Sequence, residues 1–159
     1  MKHIASALVG AVLVAASSVV VLTAPAQAAY PGYSGQLNMW QHDGYKGQME
    51  SRVNYDSNLG NDSCPGCDPG PGGNFNDDMS SFVNKTKYWW IIYVDTGMHA
   101  TSSAHFNFFC VRPNSHDADL GNNGFSYLED EISSVKRLSA TGSTRPYPCP
   151  SSHLLGYRN

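Results

Sequence analysis

The sequence predicts an all-β fold assembled from a duplicated unit, and three observations carry that prediction. The 15 Gly and 9 Pro signal many turns in a chain of only 14% charged residues, while 6 Phe, 3 Trp and 9 Tyr supply the rings that favour strands. No span has helical periodicity; residues 127–132 are compatible with one short helical turn. Finally, FNDDMSSFVN at 75–84 aligns without gaps on LEDEISSVKR at 128–137, at a constant offset of 53 residues. A repeat of that length marks a structural unit written twice.

Ahead of the fold, MKH is a short basic start and residues 4–24 form an apolar run without charge, followed by Ala26-Gln27-Ala28. That small-x-small pattern is what a signal peptidase cuts, so residues 1–28 read as a secretory leader cleaved after Ala28. A membrane anchor is the rival reading, since the run approaches the roughly 20 residues that span a bilayer. The adjoining cleavage pattern and the polar Ser17 and Ser18 favour the leader. No second stretch is long enough to span, so no membrane association is expected once the leader is gone. Its removal deletes Lys2 alone among the charged residues, taking the formal net charge from −3 to near −4. Nucleic acid is therefore not an expected partner, because a phosphate backbone demands clustered Lys and Arg. The expected product is a secreted, extracellular monomer of one domain.

The elements follow in order. Residues 29–35 read as a lead-in. Strands at 36–40 and 48–53 flank a turn at His42-Asp43-Gly44, forming a hairpin. Residues 54–74, rich in Asn, Asp, Gly and Pro, predict a long surface loop. Strands follow at 81–85 and 88–95, where YWWIIYV is the most β-prone run in the chain, and at 105–112. A polar loop at 113–123 precedes the second acidic turn and a last strand at 134–138. The domain thus spans 36–138, and 139–159 is a Pro- and Ser-rich tail.

Export permits oxidation, so Cys64, Cys67, Cys110 and Cys149 predict two disulfides. Of the three pairings, the sequence favours Cys64 with Cys67 across a Pro-Gly turn, and Cys110 with Cys149, which tethers the tail. A redox use of CPGC would want a strand-helix pattern beside it, and zinc would want a second close ligand pair; neither is present.

Asn76-Asp77-Asp78-Met79-Ser80-Ser81 resembles in full the (N/D)-(N/D)-x-x-(S/T)-S signature of microbial βγ-crystallin domains, and Glu129-Asp130-Glu131-Ile132-Ser133-Ser134 matches it in all but the first place. Trp40 through Gly47 resembles that family's aromatic-x4-Tyr-x-Gly hairpin corner. Tyr93 through Ala100 keeps the aromatic but lacks the Tyr-x-Gly, which predicts a distorted second corner. The resemblance covers residues 36–138. It implies a βγ-crystallin-like sandwich of two Greek-key motifs whose acidic turns hold one or two calcium ions and exchange ligands. The implied metal residues are Asn76, Asp77, Asp78 and Ser80 with Glu129, Asp130, Glu131 and Ser133. Calcium takes six to eight hard oxygens, and these side chains offer them. Ser81 and Ser134 are expected to bond the folded hairpin instead. Acidic, Ser-capped turns that stand without metal are the competing reading.

The layout also resembles peptidase inhibitor family I36, whose founding member inhibits metalloproteases. Phe109-Cys110-Val111-Arg112-Pro113 is similar to the Cys-Val-Arg segment carrying that family's inhibitory bond. The resemblance implies an extracellular metalloprotease as partner, with Phe108, Phe109 and Val111 suited to an apolar S1′ pocket. A loop made rigid by a disulfide and a proline loses little entropy on binding. The same residues also read as a buried strand ending in a structural cysteine. Catalysis is not expected: no histidines fall in HExxH, HxE or HxxxH spacing, and GYSG at 32–35 sits in the lead-in. A calcium-binding structural or envelope-associated module, or a crystallin-type toxin, is the alternative function.

Overall fold

The computed structural model describes residues 30–61, 73–99, 107–122, 124 and 126–158. The predicted leader with its cleavage site, and the Cys64–Cys67 pair, lie outside the described residues. Strands β1 (Leu37–His42) and β2 (Lys46–Arg52) form the first hairpin, β3 (Tyr55–Asp56) leaves it, and β4 (Ser81–Asn84) returns beside β1. Strands β5 (Tyr88–Tyr93), β6 (Phe108–Val111), β7 (Ser115–Asp117) and β8 (Ser134–Thr141) repeat that course, with β5 between β6 and β8.

In each four-strand unit the third strand crosses to the other sheet: β3 pairs with β8, and β7 with β4. The two Greek keys are interlocked by this exchange, so neither sheet is complete without the other unit. Two last strands, β9 (Leu154–Leu155) and β10 (Tyr157–Arg158), add to β6 and β7. The sheet orders are β10-β7-β4-β1-β2 and β3-β8-β5-β6-β9. The loops expected at 54–74 and 113–123 therefore each contain a short strand. Two or three residues have no period to read; their partners come from the opposite unit.

The interior between the sheets takes Leu37, Met39 and Phe82 from one side and Trp90, Ile92 and Phe109 from the other, all fully buried. Burying each such side chain contributes about 1.5–3 kcal/mol. The run at 88–93 is apolar on both faces because its outer face is also covered. There Trp89, Ile91 and Tyr93 pack with Cys110 and Cys149, with Leu138 and Leu154 against them.

That cover is the segment expected as a tethered tail. Cys110 and Cys149 are bonded, as the sequence favours, yet the segment also supplies the end of β8 and all of β9 and β10, so it completes both sheets. The lead-in is tied down as well. Buried Asn38 accepts from the Tyr33 N–H and donates to Tyr33 O, Lys85 Nζ donates to Gly32 O, and the Tyr30 ring stacks on His116 at 3.8 Å between centroids. Among the described residues no helix is long and apolar enough to cross a membrane.

Candidate functional site

Each unit folds its hairpin over and staples it with a serine. Gly44 and Tyr45 turn the first corner through left-handed backbone, at φ 68° and 61°; Gly97 and Met98 do the same 53 residues later, at 78° and 56°. Ser81 Oγ donates to His42 O at 2.8 Å and accepts from the Tyr45 N–H at 3.2 Å. Ser134 Oγ donates to Asp95 O at 2.7 Å and accepts from the Met98 N–H at 3.2 Å. The expected distortion of the second corner does not occur. Gly97 carries the turn and Ser134 closes it, whatever side chain stands at 98.

The stapled corners bring the two acidic turns together. Asp77 and Asp130 both adopt left-handed backbone, φ 57° and 56°, a conformation Asp tolerates better than most residues. The Asp77 N–H donates to Ile132 O at 3.2 Å and the Asp130 N–H to Met79 O at 3.4 Å. The side chains exchange in the same sense: Ser133 Oγ donates to Asp77 Oδ1 at 2.8 Å, and Ser80 Oγ to Asp130 Oδ1 at 3.0 Å. Each turn therefore borrows its hydroxyl from the other unit.

A second repeat, which the sequence reading missed, braces these turns. Asp56-Ser57-Asn58-Leu59-Gly60-Asn61 and Asp117-Ala118-Asp119-Leu120-Gly121-Asn122 share a D-x-(N/D)-L-G-N pattern at an offset of 61 residues. Leu59 and Leu120 are fully buried, and their N–H groups donate at 2.9 Å to Ser133 O and Ser80 O respectively. The different offset hides the repeat, because the loop after the first copy is longer.

Two equivalent acidic-turn sites result, the second richer in carboxylates than the first. Asn58, Asn74, Asn76, Asp77, Asp78 and Thr96 line the first, a cleft of about 350 Å³. At the corresponding positions the second has Asp119 for Asn58, Glu129 for Asn76, Asp130 for Asp77 and Asp43 for Thr96. The Glu129 carboxyl is pushed above its usual range by burial and by the charges of Asp43, Asp130 and Asp119. Asp43 is raised by burial and by Asp119 and Asp130, with His42 and Lys46 opposing.

Of the sequence-predicted metal residues, Asn76, Asp77 and Asp78 stand at the first pocket, to which Ser133 is bonded. Glu129 and Asp130 stand at the second, to which Ser80 is bonded. Gln41 Nε2 donates to Asp78 Oδ2 at 3.1 Å, and Glu131 is exposed to solvent. Among the described residues no three His, Cys, Asp or Glu side chains close on one point. The donors on offer are carboxylates mixed with amide, hydroxyl and carbonyl oxygens.

The segment expected to carry the inhibitory bond is elsewhere, and inside. Phe109, Cys110 and Val111 are 0% exposed in β6, between β5 and β9. Arg112 Nη1 donates to Gly156 O at 2.7 Å and clamps the last strands. The Cys110–Val111 bond is thus a core bond, and this fold does not present it to a protease. An apolar run before a cysteine reads alike in both settings, and strand β9 on its far side decides between them.

The model of peptidase inhibitor family I36 matches residues 25–106, half of the chain. The chain belongs to peptidase inhibitor family I36. The match spans the first Greek key and β5, and stops before the second acidic turn and the C-terminal strands. No curated protein matches the chain. Among solved structures, one described as "Evolution of the eye lens beta-gamma-crystallin domain fold" aligns at TM-score 0.50 and 18% identity, covering 74% of this chain and 96% of its own. A beta gamma crystallin from Ciona intestinalis aligns at 0.47 and 21%, covering 65% and 100%. Spherulin 3a from Physarum polycephalum aligns at 0.46 and 18%, covering 74% and 95%. At these identities the likeness concerns the fold, which in this I36 member is that of a βγ-crystallin domain.

Proposed function

We propose that this I36 chain is an exported inhibitor of an extracellular metalloprotease, on a scaffold that takes up one or two calcium ions. Its match to the inhibitor family over residues 25–106 carries the inhibitory reading. The metalloprotease class follows from the resemblance noted above. The protein acts by occupying its target, with no turnover of its own.

The reciprocal Ser–Asp exchange supports the calcium part. Asn76 Oδ1 is shielded from solvent and has no hydrogen-bond donor among the described residues. A Cβ at Gly60 would lie 2.9 Å from Asn58 Oδ1, and one at Gly121 would collide with the Glu129 carboxylate. Each glycine thereby lets the neighbouring oxygen-bearing side chains draw in against the backbone, and those donors are the hard oxygens calcium takes. Asp77, Asn76, Asn58 and Ser133 would hold one ion, and Asp130, Glu129, Asp119 and Ser80 the other. A bound ion supplies positive charge where carboxylates otherwise repel one another. The chain itself holds the turns in register, through Ser133 on Asp77 and Ser80 on Asp130.

A calcium-binding structural or envelope-associated module or toxin without inhibition is the second reading, favoured by the burial of the Cys110–Val111 bond. Titrating the purified mature protein against a thermolysin-type metalloprotease separates the two. Stoichiometric loss of proteolysis supports the inhibitor, and undiminished proteolysis at excess removes it.

A further inference from the structure

With the Cys110–Val111 bond in the core, the structure offers a different element to a peptidase. Strand β8 ends at Thr141, and residues 142–148 then leave the sheet. Gly142 to Arg145 and Tyr147 are all exposed. Tyr147, at 96%, is the most exposed large apolar side chain among the described residues; the next, Tyr33 and Tyr157, are at 60%.

Both ends of this projection are fixed to buried groups. At the start, Gly142 O accepts from Trp89 Nε1 at 3.0 Å, and Trp89 is 1% exposed. At the end, Cys149 is bonded to Cys110 inside β6, and the Cys149 N–H donates to Pro146 O at 2.9 Å, closing a turn beneath Tyr147. Pro146 and Pro148 fix φ on either side of the tyrosine. The disulfide that the sequence assigned to a tail therefore stiffens a loop that points outward.

We infer that residues 142–148 are the element that enters the target peptidase's cleft, with Tyr147 seated in a pocket of that peptidase that accepts an aromatic ring. The inference rests on the reading that this chain inhibits a peptidase. A loop held at both ends before binding loses little entropy when it docks. Tyr and Arg, present as Tyr147 and Arg145, dominate the energetics of such contacts. No Asp or Glu occurs after Glu131, while Lys136, Arg137 and Arg145 do, so the loop suits a cleft with acidic walls. The bonds on the carbonyl side of Arg145 and Tyr147 both lead into proline and leave no N–H there. The loop blocks the cleft as an intact plug and no bond breaks. It is also remote from the acidic turns: the eight residues of β8 separate them by about 25 Å.

The test measures inhibition of a thermolysin-type metalloprotease and of a chymotrypsin-type protease by the mature protein, by Tyr147→Ala, by Tyr147→Phe, and by Tyr33→Ala as a control at an exposed tyrosine outside the loop. Thermal melts run alongside. The inference expects Tyr147→Ala to weaken inhibition about 30-fold or more with its melting midpoint unchanged, and Tyr147→Phe and Tyr33→Ala to stay within about threefold of the parent. Inhibition by Tyr147→Ala equal to the parent's overturns the loop assignment and leaves the inhibitor reading standing. If the parent inhibits neither protease, that reading falls and the inference falls with it. Inhibition of the serine protease alone supports the loop and corrects the target class.

Discussion

Replacing Cys110 and Cys149 together by alanine removes the one covalent tie between the C-terminal segment and the central sheet among the described residues. The bond closes a loop with a sequence separation of 39. The chain-entropy relation assigns such a closure about 4 kcal/mol at 25 °C, through the freedom it denies the unfolded chain. A chain of this size loses about 3–4 °C of melting midpoint per kcal/mol, so the double variant should melt about 12–16 °C below its parent. Circular dichroism melts of both proteins at one pH, with the denaturant m-value measured in parallel, provide the assay. The m-value should rise, since the unlinked chain exposes more surface when it unfolds. A drop under about 4 °C with an unchanged m-value would rule out the chain-entropy account. It would mean that β9, β10 and the packing over Trp89 and Ile91 hold the segment without the bond. The intact pair is also what stiffens residues 142–148, so the same variant should inhibit less well than its melt alone explains.

The other expectations concern the turns. Ser80→Ala with Ser133→Ala removes the hydroxyl each turn borrows and should abolish the rise in melting midpoint on adding calcium; in the parent, calcium at 100 times its dissociation constant should stabilise by about 2.7 kcal/mol. Differential scanning calorimetry in calcium and in chelator reads both. Glu129 is raised in the folded state, so its charged form opposes folding above its folded pKa and that opposition fades as pH falls toward its ordinary value of 4.5. In chelator, Glu129→Gln should accordingly raise the midpoint at pH 7, and the gain should vanish near pH 4; a constant gain at both pH values would refute the charge-crowding account. Gly47, at φ 76°, would place a Cβ 2.9 Å from His42 Cδ2 and 3.1 Å from Gln41 Cβ. Gly47→Ala should therefore cost about 1–3 kcal/mol in urea unfolding, and a change under about 0.5 kcal/mol would show that the corner relaxes freely.

Features set by neighbouring residues are legible in the sequence. The acidic turn at 76–81 and its copy at 129–134, the corner at 40–47, and the β-prone run at 88–94 are each readable because neighbouring residues set backbone conformation: Asp tolerates left-handed backbone, Gly adopts it, and alternating or aromatic runs extend. The all-β class and the duplicated unit follow from these. The paired staples of Ser81 and Ser134 were within reach for the same reason, since each serine follows its own turn.

Which unit completes which follows from long-range packing that no local pattern records. Ser80 bonds Asp130 and Ser133 bonds Asp77, so each pocket is assembled from segments about fifty residues apart, and a donor's pocket cannot be read from its own turn. Strands β3 and β7 exist because β8 and β4 offer them ladder partners. The charge contrast between the sites depends on Asn58 standing beside Asn76 and Asp77, and Asp119 beside Glu129 and Asp130, across the intervening loops. The fate of the Cys110–Val111 bond was settled in the same way. Burial is a property of what packs on both sides of a strand, and here β9 arrives from the far end of the chain to cover an edge that local sequence leaves open.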